Sequence, residues 1–232
     1  MFSKNLAKIR NRYGLTEQDA AERIGSSAYT WKLWEAENME PTLSELLQIS
    51  EHFNISLDAL LKSNFLDFDT RNIKLLLLDV DGVMTDGGMY YSENGDFLKK
   101  YNAKDGLAIQ RAQKSGLEIG FISSSSYGNV IRNRAEVLHV SLVHVGSGKK
   151  VEIVEGWLSE RNLTFENLAY IGDDLNDITL IRQAGLSACP SDACKEVRSS
   201  ATVILPRKGG EGCVRYFIEE VLEIALEDLG LK

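Results

Sequence analysis

The chain has 232 residues, enough for one large or two unequal domains, and is 44% hydrophobic and 26% charged, as a soluble protein with a real core would be. Its net charge of -8 gives no global basic footprint for nucleic acid, and no apolar run reaches the about 18 residues that a membrane span needs. Three cysteines (Cys189, Cys194 and Cys213) without Cys-x-x-Cys spacing indicate neither a disulfide frame nor a zinc site, and with no signal-peptide core at the start the expected setting is a reducing cytoplasm.

Residues 1–62 read as a small all-helical domain. Leu6, Ile9 and Tyr13 keep helical spacing. Thr16 is placed to cap a helix running through Ile24, which Gly25 ends, and Ser27 to cap the next, Ala28 to Glu35. Pro41-Thr42 opens another, carrying Leu43, Leu46, Leu47 and Ile49, and a short last helix runs from Ser56 to about Leu61. Residues 63–72 have no clear period and read as a linker.

From Ile73 to the end, residues 73–232, short apolar strands alternate with helices, which predicts an α/β domain with a Rossmann-like parallel sheet covered on both faces. The strands expected are 73–78, 117–122, 141–145, 168–171, 186–188 and 202–205. The helices expected are 105–115, 128–138, 150–161, 176–184 and 212–227. One segment breaks the alternation: Gly88 to Tyr101 reads as a β-hairpin turning at Asn94-Gly95.

Two aspartate clusters follow predicted strands. Asp79-Val80-Asp81-Gly82 follows the run 73–78, and Gly172-Asp173-Asp174-Leu175-Asn176-Asp177 follows 168–171. The carboxyl ends of parallel strands are where such sheets bind ligands. Crowded carboxylates repel, and a hard divalent cation held through oxygens, Mg²⁺ above all, removes the conflict. The pair after the first strand suits phosphoryl transfer. Asp79 is placed to attack phosphorus, and Asp81 to protonate the leaving oxygen and later activate water. Ser123 and Lys150, the latter preferred over Lys149, are placed to bind the phosphate. Asp173 would complete a metal site with Asp79 and the main-chain carbonyl of Asp81, with Asp174 and Asp177 behind it orienting Lys150 or a metal-bound water. The hairpin, inserted straight after the first cluster, should overhang this site. His52, His139 and His144 show no ligand spacing, and Asp86 and Asp96 read as turn residues.

Asp79, Asp81, Ser123, Lys150 and the 172–177 segment stand in the order of the haloacid dehalogenase superfamily of phosphatases, which residues 73–228 resemble. Asp173-Asp174-x-x-Asp177 is one residue shorter than the commonest spacing there. Residues 79–88, the hairpin and Tyr101-Asn102-Ala103-Lys104-Asp105-Gly106 are similar to the capless branch acting on sugar-acid phosphates, the ulosonic and nonulosonic acid 8- and 9-phosphates. That branch serves lipopolysaccharide and sialic acid biosynthesis. The resemblance implies Mg²⁺, an aspartyl-phosphate intermediate and a homotetramer in which hairpins cover neighbouring sites. It also implies substrate roles for Asp105, Arg134, Arg207 and Lys208, the last two within the branch's glycine-rich tail, 206–212. Ser123-Ser124-Ser125-Ser126 departs from the usual Thr-Gly followed by a charged residue, keeping the hydroxyl and leaving the substrate's identity open.

Residues 4–61 resemble the lambda-repressor/Cro class of helix-turn-helix domain through Leu15 to Ala21, Ile24-Gly25, Trp34-Glu35, Pro41-Thr42 and Ile55 to Leu60. In that class the helix after the turn enters the major groove. Here it offers Ala28, Tyr29, Thr30, Lys32 and Leu33, one of them basic. Residues 1–62 hold seven Lys and Arg against nine Asp and Glu, a balance of −2. Since phosphate neutralisation supplies most nonspecific DNA affinity, a DNA-binding regulator is the alternative reading and not the favoured one. Trp31 and Leu33 on that helix fit a helical module that packs against the second domain or binds a partner protein, and Trp34 reads as core.

Overall fold

The structure, a computed structural model, describes residues 2–53, 55, 57–62, 70–91, 93, 97–126 and 128–224. The predicted start at Ser56, most of the linker, the Asn94-Gly95 turn and the end of the last helix lie outside the described residues. The chain divides into two compact units, Met1–Asp69 with Thr202–Ile204, and Thr70–Ala201 with Leu205–Lys232.

The first unit holds α1 (Phe2–Arg12), α2 (Glu17–Arg23), α3 (Ala28–Glu35), α4 (Leu43–His52) and α5 (Leu57–Lys62). Side-chain caps set three of the starts. Thr16 accepts from the Asp19 amide while the Asp19 carboxylate returns to the Thr16 amide at 3.1 Å. Thr42 and Glu45 repeat the reciprocal pair, and Ser27 accepts from Thr30 N at 3.0 Å. Each such cap contributes about 1 kcal/mol. Gly25, at φ 67°, takes the left-handed turn after α2.

Trp31 is not a partner-facing residue. It is fully buried with Trp34, its ring 6.0 Å from those of both Trp34 and Phe53. Positions 31 and 34 lie three apart on one helix and so share a face. Trp31 Nε1 donates to Glu35 Oε1 at 2.7 Å, and Arg10 holds the same carboxylate through Nε at 2.7 Å and Nη2 at 2.9 Å.

The second unit begins with β1 (Leu75–Leu78) and the hairpin β2 (Tyr90–Tyr91) and β3 (Phe97–Leu98). There follow α6 (Ala103–Lys114), β4 (Glu118–Ser123), α7 (Gly128–Val137), β5 (Leu142–Val145), α8 (Lys150–Glu160) and β6 (Leu168–Ile171). The unit continues with α9 (Ile178–Gln183), β7 (Leu186–Cys189), α10 (Lys195–Ser200) and α11 (Cys213–Tyr216), which runs into a wider turn at 217–221, whereas the short strand Val203–Ile204 groups with the first unit. Sequence patterning does not announce α10, whose six residues are too few to show a period. The strand order within this unit is β5-β4-β1-β6-β7, and the β4–β5, β1–β4, β1–β6 and β6–β7 pairings are parallel. Leu75 to Leu78 are all 0% exposed, which is why β1 is unbroken leucine: a central parallel strand is covered on both faces.

Register then places the chemistry. Leu78 pairs with Phe121 on one side and Ile171 on the other. Asp79, Ser123 and the 172–177 loop therefore leave the sheet together, at the carboxyl ends of three adjacent strands.

Candidate active site

Asp79 leaves β1 with its amide bonded to Ile171 O at 2.9 Å and its carboxylate buried. Lys150, the first residue of α8, is buried as well. Its Nζ donates to Asp79 Oδ1 at 2.7 Å and to Asp177 Oδ1 at 2.6 Å. Lys149 instead points into solvent and pairs with Glu152. Asp177 is fully buried and its Oδ2 accepts from the Asp173 and Asp174 amides at 2.9 and 3.2 Å. Gly172 permits this: a Cβ there would stand 2.6 Å from the Asp177 side chain. Tyr170, in the middle of β6, donates to Asp177 Oδ1 at 2.5 Å.

Oxygens of Asp79, Asp173 and Asp177 lie within 4.8 Å of one another. Burial, then the charge of Asp177, pushes Asp79 up to about 7, although Lys150 pulls the other way. Burial, then Asp79 and Asp177, pushes Asp173 up to about 8. Burial opposes the Lys150 charge, but its two carboxylates outweigh it and raise that ammonium above its ordinary value. Three carboxylates share one ammonium, so without further positive charge the crowding is relieved by protonation, and a hard divalent cation with oxygen ligands fits the group in place of those protons. The carboxylates brought together are thus those of Asp79, Asp173 and Asp177.

The side chain of Asp81 stands apart from that group and pairs with Lys99, whose side chain is 0% exposed. Residues 80–84 form a tight loop in which Asp81 is extended and Gly82 left-handed at φ 86°. A Cβ on Gly82 would fall 2.0 Å from Asp173 Oδ2, so the second loop rests directly on the backbone of the first. Neither Lys99 nor Tyr170 was expected from the sequence. Tyr170 hides in an apolar strand, and the one hint for Lys99 is its place on a hairpin expected to overhang the site.

Ser123 ends β4, buried, with its Oγ accepting from Ser125 N at 3.1 Å. Ser124 meets Asn176 Nδ2 at 3.4 Å, joining the serine loop to the second aspartate loop. Asp174 is exposed and accepts from Leu175 N at 2.8 Å. Asp105 is buried, accepts from Arg215 N at 2.8 Å, and is pushed by burial up to about 6. Arg134 lies beside it, with Cζ 5.3 Å from the Tyr101 ring centre and Nη2 3.5 Å from Asn102 O. Burial and then the charge of Asp81 raise the Tyr101 phenol, which places this cluster on the Asp81 side of the site.

Arg207 and Lys208 are exposed, whereas Gly209 and Gly210, which follow them, are buried against the first loop. A Cβ on Gly209 would fall 1.9 Å from Gly82 O, and Gly210 N donates to Val83 O at 2.9 Å. The glycine-rich segment therefore braces the loop that carries Asp81. A cavity of about 410 Å³ beside Ile73, Lys74 and Leu117 opens at the amino ends of β1 and β4, the wrong end of the sheet for this chemistry.

Comparison with known proteins agrees with both units. Residues 129–217 match the family of haloacid dehalogenase-like hydrolases, and residues 6–60 match the helix-turn-helix family. The chain is 34% identical over 151 residues to the 3-deoxy-D-manno-octulosonate 8-phosphate phosphatase of Escherichia coli K12, covering 65% of this chain and 80% of that one. The crystal structure of the enzyme of that name from Moraxella catarrhalis, in complex with magnesium ion, phosphate ion and a KDO molecule, is 31% identical. It superposes with a TM-score of 0.64 over 66% of this chain and 88% of that one. The cobalt-bound enzyme from Haemophilus influenzae is 30% identical, with a TM-score of 0.63 over 66% and 90% of the two chains.

Proposed function

The chain belongs to the haloacid dehalogenase-like hydrolases, among phosphatases related to 3-deoxy-D-manno-octulosonate 8-phosphate phosphatase, and on that premise we propose that it is a Mg²⁺-dependent phosphatase of a sugar-acid phosphate. The substrate class is an eight- or nine-carbon ulosonic acid with a terminal phosphate. The observation that carries this reading is the buried contact of Lys150 with both Asp79 and Asp177, with Asp173 alongside.

In this mechanism an Asp79 oxygen attacks phosphorus and the ester oxygen departs with a proton from Asp81, leaving an aspartyl-phosphate. Asp81 then takes a proton from water, the water oxygen attacks phosphorus, and Asp79 is released as a carboxylate with inorganic phosphate. Lys150 holds Asp79 and offsets its charge. Ser123 and the amides of its loop donate to the phosphoryl oxygens. Asp79, Asp173 and the main-chain carbonyl of Asp81 would hold the metal, with Asp177 and Asp174 supporting them. When bound, the cation supplies positive charge against the phosphoryl oxygens.

Arg134 is the residue we assign to the substrate carboxylate, through its planar paired donors, with Asp105 fixing its surroundings. Arg207 and Lys208 are assigned to the substrate's outer end. The hairpin exposes Met89, Tyr90, Tyr91 and Leu98, more apolar surface than an isolated subunit needs, which supports a homotetramer. The setting proposed is the cytoplasm; no described helix is long and apolar enough to cross a membrane. The test is phosphate release from a panel of ulosonic acid phosphates with Mg²⁺, comparing wild type and Asp79→Asn. Equal activity of the two proteins removes Asp79 as nucleophile.

The helix-turn-helix match favours one alternative, a DNA-binding regulator with a metabolite-sensing phosphatase-like domain. In support, α3 leaves Tyr29 and Lys32 exposed on a well-packed unit. The acidic balance of residues 1–62 weighs against it. Fluorescence anisotropy with duplex DNA from the gene's own upstream region decides: binding lost in Tyr29→Ala and Lys32→Ala establishes it, and no binding at low salt removes it.

A further inference from the structure

Lys99 immediately follows β3, and its buried ammonium donates to Asp81 Oδ1. A buried ammonium costs several kcal/mol unless it is paired, and a lysine kept for solubility would run its stem outward to water. The next residue does so: Lys100 is 67% exposed and reaches Asp86 only at 3.5 Å. The Asp81 carboxyl also lies outside the group formed by Asp79, Asp173 and Asp177, so a cation held by that group would not fix it. Its backbone is already held, since Gly209 and Gly210 pack on residues 82–86. What remains free is the torsion of one short side chain, and Lys99 restrains it.

We infer that Lys99 is a positioning residue for proton transfer, fixing Asp81 by Oδ1 so that the other oxygen serves the ester oxygen that leaves. The inference rests on the phosphatase reading above. As the phosphorus–oxygen bond of the ester breaks, its electron pair stays on the leaving oxygen, which takes the Asp81 proton; the carboxylate so formed remains paired with Lys99. In the second step Asp81 takes the proton of the attacking water and the acid is restored. An alkyl leaving group needs that proton, whereas 4-nitrophenolate leaves without it.

The experiment uses the full chain with Mg²⁺ and three esters: 3-deoxy-D-manno-octulosonate 8-phosphate, N-acetylneuraminate 9-phosphate and 4-nitrophenyl phosphate. Lys99→Met is expected to lower kcat/KM on the better alkyl ester by roughly 10- to 100-fold with KM within about threefold, and to change kcat/KM for 4-nitrophenyl phosphate, which reports on ester cleavage and not on the aspartyl-phosphate hydrolysis that all three esters share, by less than about threefold. Asp81→Asn should show the same selectivity more strongly, and Lys99→Arg should recover most of the loss. Should Lys99→Met fail to fold, Lys99→Gln, which keeps a donor without the charge, is read the same way. Equal losses of kcat/KM on alkyl and aryl esters, a loss confined to KM, or no loss overturns the inference and leaves the phosphatase reading intact. A wild type that releases phosphate from neither alkyl ester overturns both.

Discussion

Tyr170 donates its hydroxyl to Asp177 Oδ1 at 2.5 Å, and the same oxygen takes Lys150 Nζ at 2.6 Å. A strand side chain thereby fixes a loop carboxylate, which fixes the lysine that holds Asp79. Tyr170→Phe removes that hydroxyl and almost no volume from the core. It is expected to cost about 1.5–3 kcal/mol, the range for a hydrogen bond to a charged acceptor. It should also lower kcat by roughly 3- to 10-fold with little change in KM, because Lys150 keeps both carboxylates and loses only its long 3.5 Å contact to the hydroxyl and the restraint on Asp177. Urea unfolding and steady-state kinetics check the two halves. An unchanged kcat would mean that Asp177 is held well enough by the Asp173 and Asp174 amides alone.

The crowding of Asp79, Asp173 and Asp177 makes a separate prediction about metal. Burial and mutual repulsion push Asp79 up to about 7 and Asp173 up to about 8, which is free energy a cation can recover. Magnesium added to chelator-treated protein at about 100 times its Kd should stabilise it by about 2.7 kcal/mol. At about 2–4 °C per kcal/mol for a chain of this size, that corresponds to a rise in Tm of roughly 5–11 °C. Asp173→Asn should lose the shift and, with one repelling carboxylate gone, melt no lower than wild type when metal-free. Differential scanning calorimetry with and without Mg²⁺ reads both, and a wild-type Tm indifferent to Mg²⁺ would sink the metal assignment.

Two glycines with opposite surroundings give a paired test of packing. A Cβ on Gly209 would fall 1.9 Å from Gly82 O and 2.9 Å from Thr85 O, both backbone atoms that cannot swing away. Gly209→Ala should displace the Asp81 loop and lower phosphatase activity by about 100-fold or more, since a misplacement of about 1 Å can cost that much. Gly156, inside α8, has nothing within 4 Å of an added Cβ. Gly156→Ala should raise stability by about 0.5–1 kcal/mol with activity unchanged. Assay and thermal melting of the two variants side by side separate site geometry from helix propensity.

The runs at 75–78 and 168–171 were legible in the sequence because buried parallel strands need continuous apolar residues. Asp79, Lys150, Asp173 and Asp177 could be singled out because each stands at a strand end or helix start. What local pattern does not carry is contact between distant segments. Lys99 meets Asp81 eighteen residues away through a hairpin, and Tyr170 acts through a hydroxyl that its apolar strand conceals. Trp31 misled because a template for the helix after the turn presumes exposure, whereas the three-residue step to Trp34 turns both rings inward. In the glycine-rich tail the eye goes to Arg207 and Lys208, but Gly209 and Gly210 make the contacts with the first loop.

Asp105 supplies a pH test clear of the three crowded carboxylates. Its Oδ1 accepts from Arg215 N at 2.8 Å, while its buried Oδ2 has no hydrogen-bond partner. Burial pushes this carboxyl from 3.8 up to about 6, against weaker pulls from the Arg215 and Gly212 amides and the charges of Arg134 and Arg215. The raised value means that the fold favours the protonated acid. As pH climbs from about 4, the unfolded chain gives up its proton first, so the native state is progressively disfavoured until Asp105 itself ionises near 6, and the loss is complete above that. The whole effect is on the order of 3 kcal/mol at most, at 1.36 kcal/mol per unit. Asp105→Asn keeps an oxygen for Arg215 N and cannot ionise. Its stability relative to wild type should therefore rise between about pH 4 and about pH 6 and stay level above. Urea unfolding of metal-free protein from about pH 4.5 to about pH 7.5 measures that difference, subtracting every other titrating group. A difference that is flat, or that falls with pH, would show that Asp105 is ionised in the fold as readily as in water, with Arg134 close enough to compensate for its burial.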